Sequence, residues 1–73
     1  MNLAQLETAA QYWLDLAAKN THYDKHYQAL CQYRMAAEYF FELGDKEQLR
    51  QICKKRPDVK KLLSAEVVNF CKL

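Results

Sequence analysis

The chain has 73 residues, 51% of them hydrophobic and nine aromatic, with one Gly, one Pro and a formal net charge of +2. A chain this short is expected to form a single domain over residues 1–73, burying at most roughly 60% of its unfolded surface. So few Gly and Pro exclude both disorder and a turn-rich all-β fold, and a lone glycine excludes a Gly-rich phosphate cradle.

Helix signals begin at once. Asn2 is suited to an N-cap, and Leu3, Leu6, Ala10, Trp13, Leu14 and Ala17 follow at spacings of three and four, an amphipathic stripe within an arc of roughly 100°. Tyr12 and Leu16 lie on the far side of that helix, four apart, flanked by Gln5, Thr8 and Lys19. The stretch KNTHYDKHY breaks the pattern, and Thr21 with Asp24 three later reads as a capping box opening a second helix. Residues 27–43 form its body. Gln28, Gln32, Arg34, Glu38 and Glu42 occupy one stripe of roughly 160° and leave an apolar arc of roughly 200°, so this helix is expected to be packed on more than one side and to stand at the centre.

Gly44 follows Leu43 where the central helix must stop, and glycine takes the left-handed conformation there without steric cost. Asp45 then caps a third helix with Gln48 three later. Leu49, Ile52 and Cys53 make its apolar stripe, and Lys54, Lys55 and Arg56 fill its last turn, as the helix macrodipole favours. Pro57 ends that helix and suits the first turn of the next, with Asp58 beside it. Val59, Leu62, Leu63, Val67 and Phe70 keep helical spacing, and the pattern either runs through Ser64 or restarts with Ser64 as a cap.

The segment AAEYFFELGDKEQLRQIC resembles a helical-hairpin repeat of the tetratricopeptide or clathrin-heavy-chain type over about one repeat, residues 36–57. Ala37, Phe40, Gly44, Asp45, Leu49 and Cys53 stand where such repeats place a small residue, an aromatic, the Gly-Asp turn and the apolar residues of the second helix. The resemblance implies a binding scaffold without chemistry of its own.

Charge is unevenly placed. Residues 1–44 hold three Lys/Arg against five Asp/Glu, a net of −2, and residues 45–73 hold eight against four, a net of +4. Lys60 and Lys61, early in a helix, are not explained by the macrodipole; with Arg50, Lys54 and Lys55 they make a basic patch suited to an acidic protein or a nucleic acid, although no aromatic interleaves with them. His22 and His26, four apart, would share a helix face at metal-ligand spacing, but a zinc site needs about four ligands and the cysteines lack paired spacing. Cys31, Cys53 and Cys71 fall on or beside apolar stripes, which suits small buried hydrophobes better than nucleophiles. Odd in number and without CxxC, they point to a reducing, cytoplasmic setting. No signal-peptide-like apolar stretch appears near residue 1 and no apolar run approaches about 20 residues, so an intracellular chain is expected. Cys71-Lys72-Leu73 resembles a variant of the peroxisomal Ser-Lys-Leu tail.

The sequence therefore predicts an all-α bundle of four to five helices, with residues 27–43 central and tight helical hairpins in the C-terminal half. The expected function is protein–protein interaction, as an adaptor, small chaperone or inhibitor, with no catalysis, cofactor, metal or membrane contact. Tyr12, Leu16, Tyr23 and Tyr27 are the expected contact residues, since Tyr offers a large rigid surface with a polar tip, and the partner is another protein or a second copy. The alternative is a small nucleic-acid-associated regulator using Arg50, Lys54, Lys55, Lys60 and Lys61.

Overall fold

A computed structural model describes residues 2–72 and contains, among them, no strand and five helical segments: α1 (Leu3–His22), α2 (His26–Leu43), α3 (Lys46–Lys55), a 3-10 segment (Pro57–Leu62) and α4 (Ala65–Cys71). The protein is all-α, and among the described residues no helix is long and apolar enough to cross a membrane. Leu73, the last residue of the Ser-Lys-Leu-like tail, lies outside the described residues.

Most helix ends are set by their own residues. At α1 the Asn2 side chain accepts from the Gln5 N–H (2.9 Å) while the Gln5 side chain accepts from the Asn2 N–H (3.0 Å), a reciprocal capping box. Asp45 caps α3 through the Gln48 N–H (3.1 Å), and Ser64 caps α4 through the Val67 N–H (3.3 Å). The pattern therefore restarts at Ser64. Pro57 opens not an α-helix but one 3-10 run that ends at Leu62.

The reversal between α1 and α2 differs from the expected capping box. Thr21 belongs to α1, where its hydroxyl donates to the Ala17 carbonyl (2.9 Å), and α2 starts at an N-cap, Lys25, whose side chain makes no capping bond. Asp24 instead takes the left-handed conformation (φ 62°), with the Lys25 N–H on the Asn20 carbonyl (2.8 Å) and the Asp24 N–H on the Thr21 carbonyl (3.1 Å). The same pair of bonds closes α2: Gly44 (φ 72°) donates to Phe41 (3.0 Å) and Asp45 to Phe40 (2.9 Å). Both are Schellman closures. Asp does at the first what Gly does at the second, since Asp tolerates φ > 0 better than most residues.

Packing divides the chain into two regimes. Along α1 and α2 the fully buried residues of the shared interface are small: Ala10 and Ala17 on one helix, Ala29 and Ala36 on the other, each pair seven apart. Small side chains let helix axes approach closely, and bulky neighbours are pushed to the flanks. Leu3, expected in the stripe facing α2, is 67% exposed, and Trp13 and Leu14 are only half-buried. The largest fully buried side chains are Leu49, Ile52, Val59 and Cys71, all in the C-terminal half. These elements join α2 through Tyr33 (4% exposed), Ala37 and Phe40, and α4 adds a T-shaped Phe41–Phe70 pair at 5.1 Å. Thus α2 is the central element, covered by α1 on one side and by the C-terminal elements on another.

Enlarging Ala36 to Leu should wedge α1 from α2 and cost about 1–3 kcal/mol, the usual scale of overpacking, whereas Ala18→Leu on the exposed side should stay within about 0.5 kcal/mol. Denaturant melts of the two variants decide; equal losses would mean that the alanine contact is not tight.

Candidate functional site

The helix pair carries a second set of side chains beside the alanine contact. On α1 these are Gln5, Ala9, Tyr12 and Leu16, and on α2 Gln28, Gln32, Met35 and Tyr39. Both follow the spacing i, i+4, i+7, i+11, which gathers each set into an arc of roughly 60°. Asn20 continues the α1 set by one turn, and its amide donates to the Gln32 carbonyl oxygen (2.6 Å) across the helix pair. That bond puts Asn20 and Gln32 on the same side of the hairpin, while Met35 and Tyr39 open onto a pocket that they share with Glu38, Phe41, Glu42, Ser64 and Val67.

None of these side chains is buried. Tyr12 is 59% exposed, and Leu16, Met35 and Tyr39 are half-buried. Trp13 stands between the alanine contact and this face, with Tyr12 edge-on to it at 5.3 Å. Tyr12 and Trp13, with Ala4, Gln5, Thr8 and Ala9, line an open, largely apolar groove of about 580 Å³ along the first half of α1. α3 and the 3-10 segment pack on α2, and α1 has α2 as its one extensive neighbour.

Tyr23 (60% exposed) and Tyr27 (79% exposed) lie apart from this groove, at the end of the hairpin where α1 turns into α2. The structure thus brings together Tyr12 and Leu16 and sets Tyr23 and Tyr27 at one end. The other tyrosines differ: Tyr33 is in the core and Tyr39 is half-buried. Trp13 stands beside Tyr12 in the α1 groove, whereas Met35 and Tyr39 line a separate pocket with Ser64 and Val67.

His22 and His26 do not share a helix face, because α1 ends at His22 and α2 begins at His26. His26 Nε2 lies 3.5 Å from Asp24 Oδ1 on the surface. Among the described residues no three His, Cys, Asp or Glu side chains converge on one point.

Arg50, Lys54, Lys55, Lys60 and Lys61 are all exposed. Arg50 is partly committed, its Nε donating to the Cys71 carbonyl (3.2 Å) and tying α3 to the end of α4. Arg56 is drawn inward: both arms of its guanidinium bond the Asp58 carboxylate (3.2 and 2.9 Å), and it lies 5.9 Å from the Tyr33 ring centre. Its Nη1 is buried with no acceptor among the described residues; the aromatic face offers partial compensation. The hydrogen bond from Arg56 holds the Asp58 carboxyl below its ordinary value.

Cys53 and Cys71 are buried and Cys31 is half-buried. Burial, reinforced by the neighbouring Cys71, pushes the Cys53 thiol up, with Lys60 pulling weakly the other way. Cys71 Sγ donates to the Val67 carbonyl at 3.1 Å. Both thiols are packed in the core, and at Cys53 burial disfavours the thiolate.

Comparison with protein-family models, with curated proteins and with solved structures finds no match to this chain.

Two outcomes are expected in solution. A thiol reagent applied to the native protein should modify Cys31 first, with Cys53 and Cys71 reacting only as the fold opens; mass mapping with three equal rates would contradict this. The Arg56–Asp58 pair should stabilise the fold above the ordinary carboxyl value of 3.8 and lose its effect as pH falls through the lower folded value. Because Asp58 is 47% exposed, Asp58→Asn should cost no more than about 1 kcal/mol at neutral pH and nothing once acid has protonated the carboxylate, as denaturant melts at several pH values would show.

Proposed function

We propose that this protein is a protein–protein interaction module that works through one face of the α1–α2 hairpin and carries no catalysis of its own. The observation that supports the reading is the open, largely apolar groove along α1, where exposed Tyr12 stands beside half-buried Trp13 and Ala9, with half-buried Leu16 one turn further on. A contiguous apolar surface on a small domain marks a contact site, and aromatic and Met side chains are what protein interfaces enrich. Tyr23 and Tyr27 extend the contact at the end of the hairpin. Such a module acts as an adaptor, small chaperone or inhibitor according to the partner it meets, in keeping with the scaffold role implied by the helical-hairpin resemblance of residues 36–57.

The basic set at Arg50, Lys54, Lys55, Lys60 and Lys61 supports the nucleic-acid alternative less well. No aromatic side chain stands among those lysines to stack on a base, and Arg50 already serves the fold.

Affinity purification from the native cell, run in parallel with wild type and with Tyr12→Ala combined with Leu16→Asp, tests the proposal. Partners held by wild type, its own chain included, should be lost from the double variant, whose helical circular dichroism should remain. Identical partner sets from both proteins would remove the face from consideration.

A further inference from the structure

We propose that the pocket between α2 and the start of α4 is a second docking site, which receives an arginine side chain from a basic segment of another protein. It lies apart from the α1 groove and goes beyond the function proposed for that groove, so the failure of one leaves the other standing.

The pocket exists because α4 packs on α3 and meets α2 at the Phe41–Phe70 ring pair. The cleft left beside that pair has a volume of about 360 Å³. Met35, Glu38, Tyr39 and Glu42 line it from one side of α2, at the spacing i, i+3, i+4, i+7, and Val67 lines it from α4. That volume stands at the lower end of the roughly 300–1,000 Å³ of ligand clefts and suits one long side chain.

Charge decides the sign of the occupant. Two of the lining side chains are carboxylates and none is Lys, Arg or His. Arg34 donates to one oxygen of Glu38 (2.9 Å), and Glu42 has no ion-pair partner among the described residues. Neither carboxylate is explained by the helix that carries it. They stand four apart, where like charges repel, and Glu42 is in the last turn of α2, where the macrodipole favours cations and the helix has none. A bound cation relieves both conflicts.

The apolar lining selects among cations. A metal ion would find only two carboxylates beside Met35, Tyr39 and Val67, too few ligands to hold it. An ammonium is compact and strongly hydrated, whereas a guanidinium is flat, weakly hydrated, stacks on aromatic rings and offers donors in a fork that two carboxylates can share. The arginine stem can cover Met35 and Val67 while its head reaches the glutamates. The same chemistry already operates inside the chain, where Arg56 bonds the Asp58 carboxylate (2.9 Å) and lies 5.9 Å from the Tyr33 ring centre.

NMR titration of the isotope-labelled full chain with terminally blocked peptides tests this. Three peptides differ only at a central residue: arginine, lysine, or citrulline, which keeps the arginine shape without its charge. The arginine peptide should shift the amides of Glu38, Tyr39, Glu42, Ser64 and Val67 and saturate below about 10 mM. The lysine peptide should bind about threefold more weakly and the citrulline peptide about tenfold more weakly. Glu42→Gln, at an exposed position, should weaken the arginine peptide about fivefold, and Glu7→Gln on α1 should leave it unchanged. The absence of saturable shifts with the arginine peptide, or equal binding of citrulline, would overturn the proposal. Equal weakening by Glu7→Gln would do the same, because the attraction would then belong to the acidic half of the chain at large. Pocket amides that shift when the protein alone is concentrated, and cease to do so in Glu42→Gln, would also overturn it by making a second copy the occupant.

Discussion

The close contact between α1 and α2 is the constraint on which the rest of the molecule depends. Ala10, Ala17, Ala29 and Ala36 are fully buried, and their lack of bulk allows two helices to lie nearly backbone to backbone. This interface offers little volume for large side chains. Leu3, Trp13, Leu14 and Leu16 therefore have nowhere central to go, and stand at its margins with part of their surface in water. In most small domains the aromatics and leucines supply the core and alanines fill in around them; here the longest helix pair reverses that arrangement.

The C-terminal half compensates. α3 and the 3-10 segment pack on the far side of α2 and α4 packs on α3, which together bring Leu49, Ile52, Val59 and Cys71 into full burial. The turns that shape this half are short and locally specified by Gly44, Asp45, Pro57 and Ser64, and Arg50 and Arg56 anchor its ends to a carbonyl and to the Asp58 and Tyr33 pair. The outcome is an asymmetric body. One side of α2 is finished by the chain's own continuation, and one face of the α1–α2 hairpin is not. The proposed interaction surface draws on that asymmetry: the chain completes its core on one side of α2 and leaves the outer side of α1 open.

Much of this is legible in the residues. Gly44, Asp45 and Ser64 behave as their local chemistry dictates, and the wide apolar arc of residues 27–43 identifies the central helix. Two features were concealed for identifiable reasons. The α1–α2 turn was hidden because Asp24 adopts a left-handed conformation that glycine usually signals, so Thr21 and Asp24 looked like a cap when the chain was still finishing α1. The pocket that Met35 and Tyr39 share with Ser64 and Val67 was hidden because it joins residues far apart in the chain, which periodicity within one helix cannot bring together. Periodicity also places Leu3 and Trp13 toward α2 without revealing that alanines would take the closest positions, since wheel angle says nothing of interaxial distance. The apposition of His22 and His26 failed for a similar reason: helical spacing holds only while the helix continues.

The most direct measurement uses Trp13, the single tryptophan, which borders the open face and is half-buried in the isolated chain. Its emission and its quenching by acrylamide should be compared in the native protein and in Ala17→Leu. Close alanine packing predicts a red shift and stronger quenching in the variant, because the bulkier residue parts α1 from α2 and admits water to the indole. A spectrum and a quenching constant unchanged in a variant that stays folded would contradict the claim that the alanine contact sets this hairpin.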